Sequence, residues 1–305
     1  MAKSKIYAQL YTILRTNQAR SLEALKQIAE IGYAGVELMG TNTCGLSTEE
    51  YKKYIADLGL DPISSHNLSS EADFDWAREM GIRYNDVRPD LGKGTYDDIM
   101  RAAEDMNAQG KLRAKHGIKA VLHNHSQEFR KITGKEDEED RIYDLLIKNT
   151  DPEFVNFELD IGWCAFSGCD PIEYVKKYAG RFPVVHVKEA NRVAFNDDEL
   201  EHFPKDILTM GMPIRPVNPK AAKEGFLADI CFFTEEQAAI MYWSRHWNAR
   251  LGNGIIDWKA LTDALEAQGI EAYISEREYF SYEGGGDAYT AAKQDFEYLD
   301  NLLNK

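Results

Sequence analysis

The sequence predicts an α/β protein built as a (β/α)8 barrel, and three observations carry that expectation. Eight short apolar runs of strand type alternate with amphipathic stretches of helical period along the 305 residues, the pattern of a parallel sheet with crossover helices. A glycine followed by Leu or Ile recurs where helices should hand over to strands, at Gly59-Leu60, Gly81-Ile82, Gly117-Ile118 and Gly269-Ile270. Such a glycine suits a helix C-cap leading into a buried strand. The length also suffices for a full barrel, which needs about 250 residues, and no break in composition divides 1–305 into two domains.

The first strand is expected over Lys5–Tyr11 (KIYAQLY). Ser21 can cap a helix over Leu22–Ile31, whose Leu22, Leu25, Ile28 and Ala29 share one face, and Gly32 ends it. Strand two is Ala34–Met39, and Ser47 with Glu50 three residues on forms a capping box for a helix over Thr48–Leu58. Strand three, Leu60–His66, leads to a helix near Ser70–Met80. Strand four, Ile82–Val87, leads to a long helix over Thr95–His116. Strand five is Lys119–His125 (KAVLHNH), followed by a helix over Asp140–Asn149. Strand six is Val155–Asp160 (VNFELD), and its helix, Pro171–Tyr178, opens on a proline where the missing N–H costs nothing. Strand seven is Phe182–Lys188 (FPVVHVK), strand eight Ala272–Arg277, and Asp287–Leu303 closes the chain as a helix.

One segment breaks this rhythm. About 194–250 is far longer than an ordinary strand-to-helix connection. It carries Pro204, Pro213, Pro216 and Pro219, then Phe226, Phe232, Phe233, Tyr242, Trp243 and Trp247. Placed after strand seven, it would lie over the catalytic face. It reads as a lid or as an oligomer contact, which would make a homodimer, with a decorative insertion as the competing reading.

The formal net charge of −15 argues against nucleic acid or anionic membrane as partners, since both call for a basic surface. No apolar run approaches a membrane span, and Thr12, Arg15, Thr16 and Asn17 interrupt any signal-peptide core near the start. Cys44, Cys164, Cys169 and Cys231 form no CxxC pair, which suits reduced thiols in a cytoplasmic protein.

Chemistry-bearing residues gather at the C-terminal ends of four predicted strands, the end where barrels of this kind place their sites. Asp160 ends strand six, His186 lies near the end of strand seven, and Glu276 lies in strand eight. A polar residue inside an apolar strand is costly unless paired or ligated, and three on consecutive strands point to a divalent metal site. Strand five offers His123 and His125 on one face by the period-two rule, with Glu128 just past it. One or two of these three would complete the ligand set. An unligated histidine there is a natural general base, its ordinary pKa lying near working pH.

The runs H-N-H-S-Q-E-F, D-P-E-F-V-N-F-E-L-D-I-G-W and G-R-F-P-V-V-H-V-K-E resemble the sugar phosphate isomerase/epimerase superfamily, which includes the xylose isomerase-like TIM barrels and the endonuclease IV fold. The strand A-Q-L-Y-T, the turn G-Y-A-G-V-E-L, S-S-H-N and the later G-N-G-I-I-D-W are similar to its pattern too. The resemblance spans nearly all of the chain outside 194–250. It implies a TIM barrel with one divalent ion, Mn, Zn, Co or Mg, held by Glu, Asp, His and Glu. Asp160, His186 and Glu276 match the last three ligands. Where the family usually has glutamate in strand five this chain has His123, so the role passes to Glu128, with His123 as the alternative.

The implied chemistry is metal-assisted proton removal next to a sugar carbonyl through an enediolate, with Glu276 or His125 as base and Lys188 steadying the oxyanion. Ketose isomerisation or epimerisation is the first expectation. A lyase or dehydratase acting on a keto-sugar, keto-glycoside or cyclitol is the alternative, because the strand-five change disturbs the two-glutamate arrangement of epimerases. A non-catalytic carbohydrate-binding barrel is the second alternative; three-metal DNA cleavage is disfavoured by the acidic charge. Lys188 could instead pair with Glu158. His66 and Glu37 are candidate hydroxyl-binding residues, His123 is a candidate substrate contact where it is not a ligand, and Trp163 is a candidate stacking platform. Arg277 reads as a rim ion pair or an anion contact, and Gly284-Gly285-Gly286 as a flexible turn or a phosphate cradle.

Overall fold

Ten strands appear in the computed structural model, which describes residues 5–14, 21–200, 204–210, 235–279 and 287–304. They are β1 (Ile6–Gln9), β2 (Gly35–Met39), β3 (Asp61–His66), β4 (Tyr84–Asp86), β5 (Lys119–His123), β6 (Val155–Asp160), β7 (Val184–Val187), β8 (Glu189–Ala190), β9 (Asn248–Ala249) and β10 (Ala272–Ser275). The first seven pair in parallel in chain order, and β10 sits between β7 and β1 to close an eight-stranded barrel. The expected (β/α)8 architecture is therefore the one observed. The remaining two strands form a separate antiparallel pair.

The described helices are α1 (Tyr11–Leu14), α2 (Ser21–Ile31), α3 (Thr48–Asp57), α4 (Glu71–Met80), α5 (Tyr96–Ala114), α6 (Ile142–Asn149), α7 (Ile161–Phe166), α8 (Pro171–Lys177), α9 (Lys205–Thr209), α10 (Glu235–Ser244), α11 (Trp258–Glu266) and α12 (Ala288–Leu303). The capping box at Ser47 and Glu50 is present, and α4 and α5 have equivalent boxes with aspartate at the third position, Ser70/Asp73 and Thr95/Asp98. The glycine junctions behave as expected: Gly59, Gly81, Gly117 and Gly269 all take positive φ, between 74° and 88°, where a side chain would be strained. None of the described helices is long and apolar enough to cross a membrane. The described cysteines Cys44, Cys164 and Cys169 are free thiols, and Cys231 lies outside the described residues.

The main core lies between the strands and the helix layer. On α5, Ile99, Ala102, Ala103 and Met106 are buried, and full burial of a side chain the size of Ile or Met contributes roughly 1.5–3 kcal/mol. Inside the barrel, Tyr7, Ile63, Tyr84, Val121, Val184, Ala272 and Ile274 form a second cluster drawn only from strands. Because side chains alternate, the positions two residues further along these strands share that interior face. Tyr7 leads to Gln9, Val121 to His123, Val184 to His186, and Ile274 to Glu276. Each interior row is apolar below and polar at its C-terminal end, which is what creates a site there.

Several element ends differ from expectation. Strand five stops at His123, because the buried side chain of Asn124 accepts from the Asp160 N–H at 3.0 Å and donates to the Asp160 carbonyl at 3.3 Å. Strand eight stops at Ser275, so Glu276 lies just beyond the strand rather than inside it. Asp160 ends β6 as expected and also caps α7, its Oδ1 accepting from the Trp163 N–H at 2.9 Å. Between β7 and β10 the crossover helix is α11, which the sequence reading had not assigned. Of the long insertion, β8 and β9 tie its two ends together. Pro213, Pro216, Pro219, Phe226, Phe232 and Phe233 lie outside the described residues, as does Gly284-Gly285-Gly286.

Candidate active site

Four of the strand-end residues converge. His123, Asp160, His186 and Glu276 each offer one donor atom, and these atoms all lie within 4.8 Å of one another. His123 Nε2 is 3.4 Å from Asp160 Oδ2, and His186 Nδ1 is 3.0 Å from Glu276 Oε2. Burial, then the neighbouring His186 and His66, hold His123 well below the ordinary imidazole value, which favours the neutral ligand form. Burial opposes the charge on Glu276, but Lys188 and His186 beside it keep its carboxyl below the usual range. At His186 burial is outweighed by the Glu158 and Glu37 charges, which raise its pKa well above the ordinary imidazole value, so a bound ion would displace its proton. Imidazole nitrogens with carboxylate oxygens in a buried cluster are a donor set that fits a divalent ion. These residues could hold one.

Lys188 is 1 % exposed, and its ammonium is 3.0 Å from Asp160 Oδ2, 3.1 Å from Glu276 Oε2 and 3.1 Å from Glu278 Oε2. The pairing with Glu158 considered from the sequence is not what forms. In the β6–β7 register Asp160 lies opposite His186 and Glu158 opposite Val184, so Glu158 sits one interior row too low for Lys188. Burial opposes the ammonium, and the Asp160, Glu276 and Glu278 charges more than offset it, raising its pKa. Arg277 makes the expected ion pair, with buried Asp295 of α12.

Below this set lies a second one. Glu37, His66, Glu158 and His186 also bring donor atoms within 4.8 Å of one another. His66 and Glu37, expected as hydroxyl-binding residues, are thus joined by Glu158, which sequence reasoning passed over except as a partner for Lys188. Its signal was present: it stands two residues before Asp160 on the same face of a strand whose other face, Val155, Phe157 and Leu159, is apolar.

Glu128 stands apart from both sets. Its Oε2 accepts from the His125 backbone N–H at 2.8 Å, and burial pushes its carboxyl up to about 7. The residue that the structure brings to Asp160, His186 and Glu276 is the alternative, His123. His125 is half-buried beside it, with ring centroids 4.9 Å apart. Trp163 is 1 % exposed and packed, its ring 4.6 Å from Trp247 and 5.5 Å from His125, with the Arg245 guanidinium 4.8 Å over its face. Arg245 also approaches Glu278, at 3.4 Å. Arg245 and Trp247 come from the end of the insertion; Trp247 is among the aromatics of the segment expected over the catalytic face, whereas nothing local in the sequence marked Arg245.

The model of the xylose isomerase-like TIM barrel family matches residues 71–302. Among curated relatives, the inosose dehydratase of Clostridium tetani (strain Massachusetts / E88) is 37% identical over 95 residues, 31% of this chain and 30% of that protein. The inosose dehydratase of Geobacillus kaustophilus (strain HTA426) is 26% identical over 196 residues, 55% of this chain and 61% of that protein. The chain thus spans less than two thirds of the length of either relative. Among solved structures, a sugar phosphate isomerase/epimerase from Parabacteroides distasonis ATCC 8503 has a TM-score of 0.69 at 21% identity, over 99% of this chain and 96% of that one; this is a likeness of fold. With a closed parallel barrel and a family match over most of its length, the chain belongs to the xylose isomerase-like TIM barrel family.

Proposed function

We propose that the protein is a metal-dependent lyase that removes water from a keto-sugar or a cyclitol ketone. The observation that carries this reading is the pair of histidines on strand five and just past it: His123 stands where a second opposed glutamate base would be needed for symmetric epimerisation. Two relatives that bear the name inosose dehydratase support it. A divalent ion held by His123, Asp160, His186 and Glu276 would supply Lewis acidity to a carbonyl oxygen.

The chain's own groups supply the rest. His125 takes the proton from the carbon next to the carbonyl. The electron pair then forms the new C=C bond as the hydroxyl on the next carbon leaves. The imidazolium returns its proton to that hydroxyl, so the products are the unsaturated ketone and water. Lys188, held among Asp160, Glu276 and Glu278, places a fixed positive charge near the developing oxyanion. Arg245 and Trp247, packed on Trp163, support reading this end of the insertion as a cover that keeps water from the site.

Ketose isomerisation or epimerisation is the second reading, favoured by Glu276, an ionised carboxylate that could act as base. Incubation of metal-loaded protein with cyclitol ketones and ketoses in D2O separates the two. Dehydration is expected to give an ultraviolet-absorbing unsaturated ketone. Deuterium entry into an isomerised product with no unsaturated species would sink the lyase reading, and no turnover with no bound metal would leave a carbohydrate-binding barrel.

A further inference from the structure

We infer that Glu37, His66, Glu158 and His186 form a second divalent-cation site, beneath the set formed by His123, Asp160, His186 and Glu276. All four residues are at most 4 % exposed. Among the described residues no lysine or arginine forms an ion pair with Glu37 or Glu158; the basic groups within 4 Å of them are His66 and His186. The upper carboxylates, by contrast, share the Lys188 ammonium.

Donor spacing is the second observation. His66 Nε2 is 3.2 Å from Glu37 Oε1 and 3.2 Å from Glu158 Oε2, while His186 Nε2 is 2.7 Å from Glu37 Oε1 and 3.7 Å from Glu158 Oε1. Ligands about 2.0–2.1 Å from a tetrahedral ion are separated by about 3.3 Å, within the observed range. Hydrogen bonding accounts for the cluster less well. An imidazole Nε2 carries at most one proton, yet His66 Nε2 faces two carboxylate oxygens at equal distance. Glu37 Oε2 and Glu158 Oε1 are buried and accept no hydrogen bond, although such atoms are normally satisfied. A cation would satisfy them together.

His186 explains how two ions can sit side by side. Its Nδ1 faces Glu276 and Asp160, and its Nε2 faces Glu37 and Glu158. With both sites filled the ring would bridge them, having released its remaining N–H proton to solvent. The inference is independent of the reaction proposed above, because it rests on the lower set alone.

Metal content measured by mass spectrometry, after saturation with Mn2+ or Zn2+ and desalting, tests it. The wild-type chain is expected to hold about two ions, and Glu158→Gln and Asp160→Asn about one each. Far-UV circular dichroism confirms that each variant is folded, and Glu37→Gln replaces Glu158→Gln if the latter is not. One ion that survives Asp160→Asn but is lost in Glu158→Gln would keep the lower site while removing the upper one. A content that Glu158→Gln and Glu37→Gln leave unchanged would overturn the inference, as would a wild-type chain that binds no metal.

Discussion

Glu276 stays ionised in a buried place because Lys188 and His186 stand against it. The change Glu276→Gln keeps its size and removes its charge. Turnover is expected to fall by at least about 10²-fold while the fold persists, as read by steady-state kinetics beside circular dichroism. Undiminished turnover would take this carboxylate out of the mechanism. His125→Ala is expected to lose about 10²- to 10⁴-fold in kcat together with one limb of the pH–rate profile. If activity survives with the same profile, the histidine is structural. Glu128 acts on stability instead. Its folded pKa of about 7 lies above the ordinary carboxylate value. Its contribution is therefore fully present below that ordinary value and lost as pH rises through about 7. Urea denaturation over about pH 5–8 should show wild-type stability falling more steeply than that of Glu128→Gln. Parallel curves would refute the linkage.

Between elements, one carboxylate of α6 gathers three hydrogen bonds from α8 and its C-terminal end. Asp144 accepts from Tyr174 Oη at 2.9 Å, from Lys177 Nζ at 2.7 Å and from Tyr178 Oη. Burial opposes its charge, but the Lys177 and Tyr178 bonds outweigh that and hold its pKa down. Asp144→Ala leaves these donors without their acceptor, at a cost of about 1–3 kcal/mol near neutral pH. Because the folded pKa is depressed, wild type loses this advantage as pH falls through it. The gap between the two proteins in urea melts should close in acid. A gap that stays constant would show that the effect is packing. The same scale explains the G-N-G-I-I-D-W run. Glu189 accepts from the Gly252 and Ile256 N–H groups and from Trp258 Nε1. It pins the return of the insertion to the start of α11.

For the whole molecule, a ligand that binds only the folded state stabilises it by mass action, about 2.7 kcal/mol at a hundred times Kd. Adding Mn2+ or Zn2+ to chelator-treated protein should therefore raise Tm by several degrees. Asp160→Asn should gain less. A Tm indifferent to both metal and chelator would argue against any site in the barrel. Since the chain carries a net charge of −15, comparison with that variant separates site binding from general screening of repulsion.

The barrel was legible in the sequence because its determinants are local. Glycines at helix ends, capping boxes and apolar runs of strand length act within a few residues, and they set the order of elements without knowledge of the fold. Period two likewise fixed which side chains face inward, so Asp160, His186 and Glu276 could be singled out. What period two cannot supply is height along the barrel axis. That depends on strand stagger: His123 lies opposite Glu158, Asp160 opposite His186, and His186 opposite Ile274. While the turn beyond strand five holds Glu128 on the His125 N–H, stagger, visible only in the closed barrel, placed His123 in the upper set. It directed Lys188 to Asp160, and it gathered Glu37, His66 and Glu158 below. Arg245 and Trp247 reached the site from a distant segment, a contact made by tertiary packing alone.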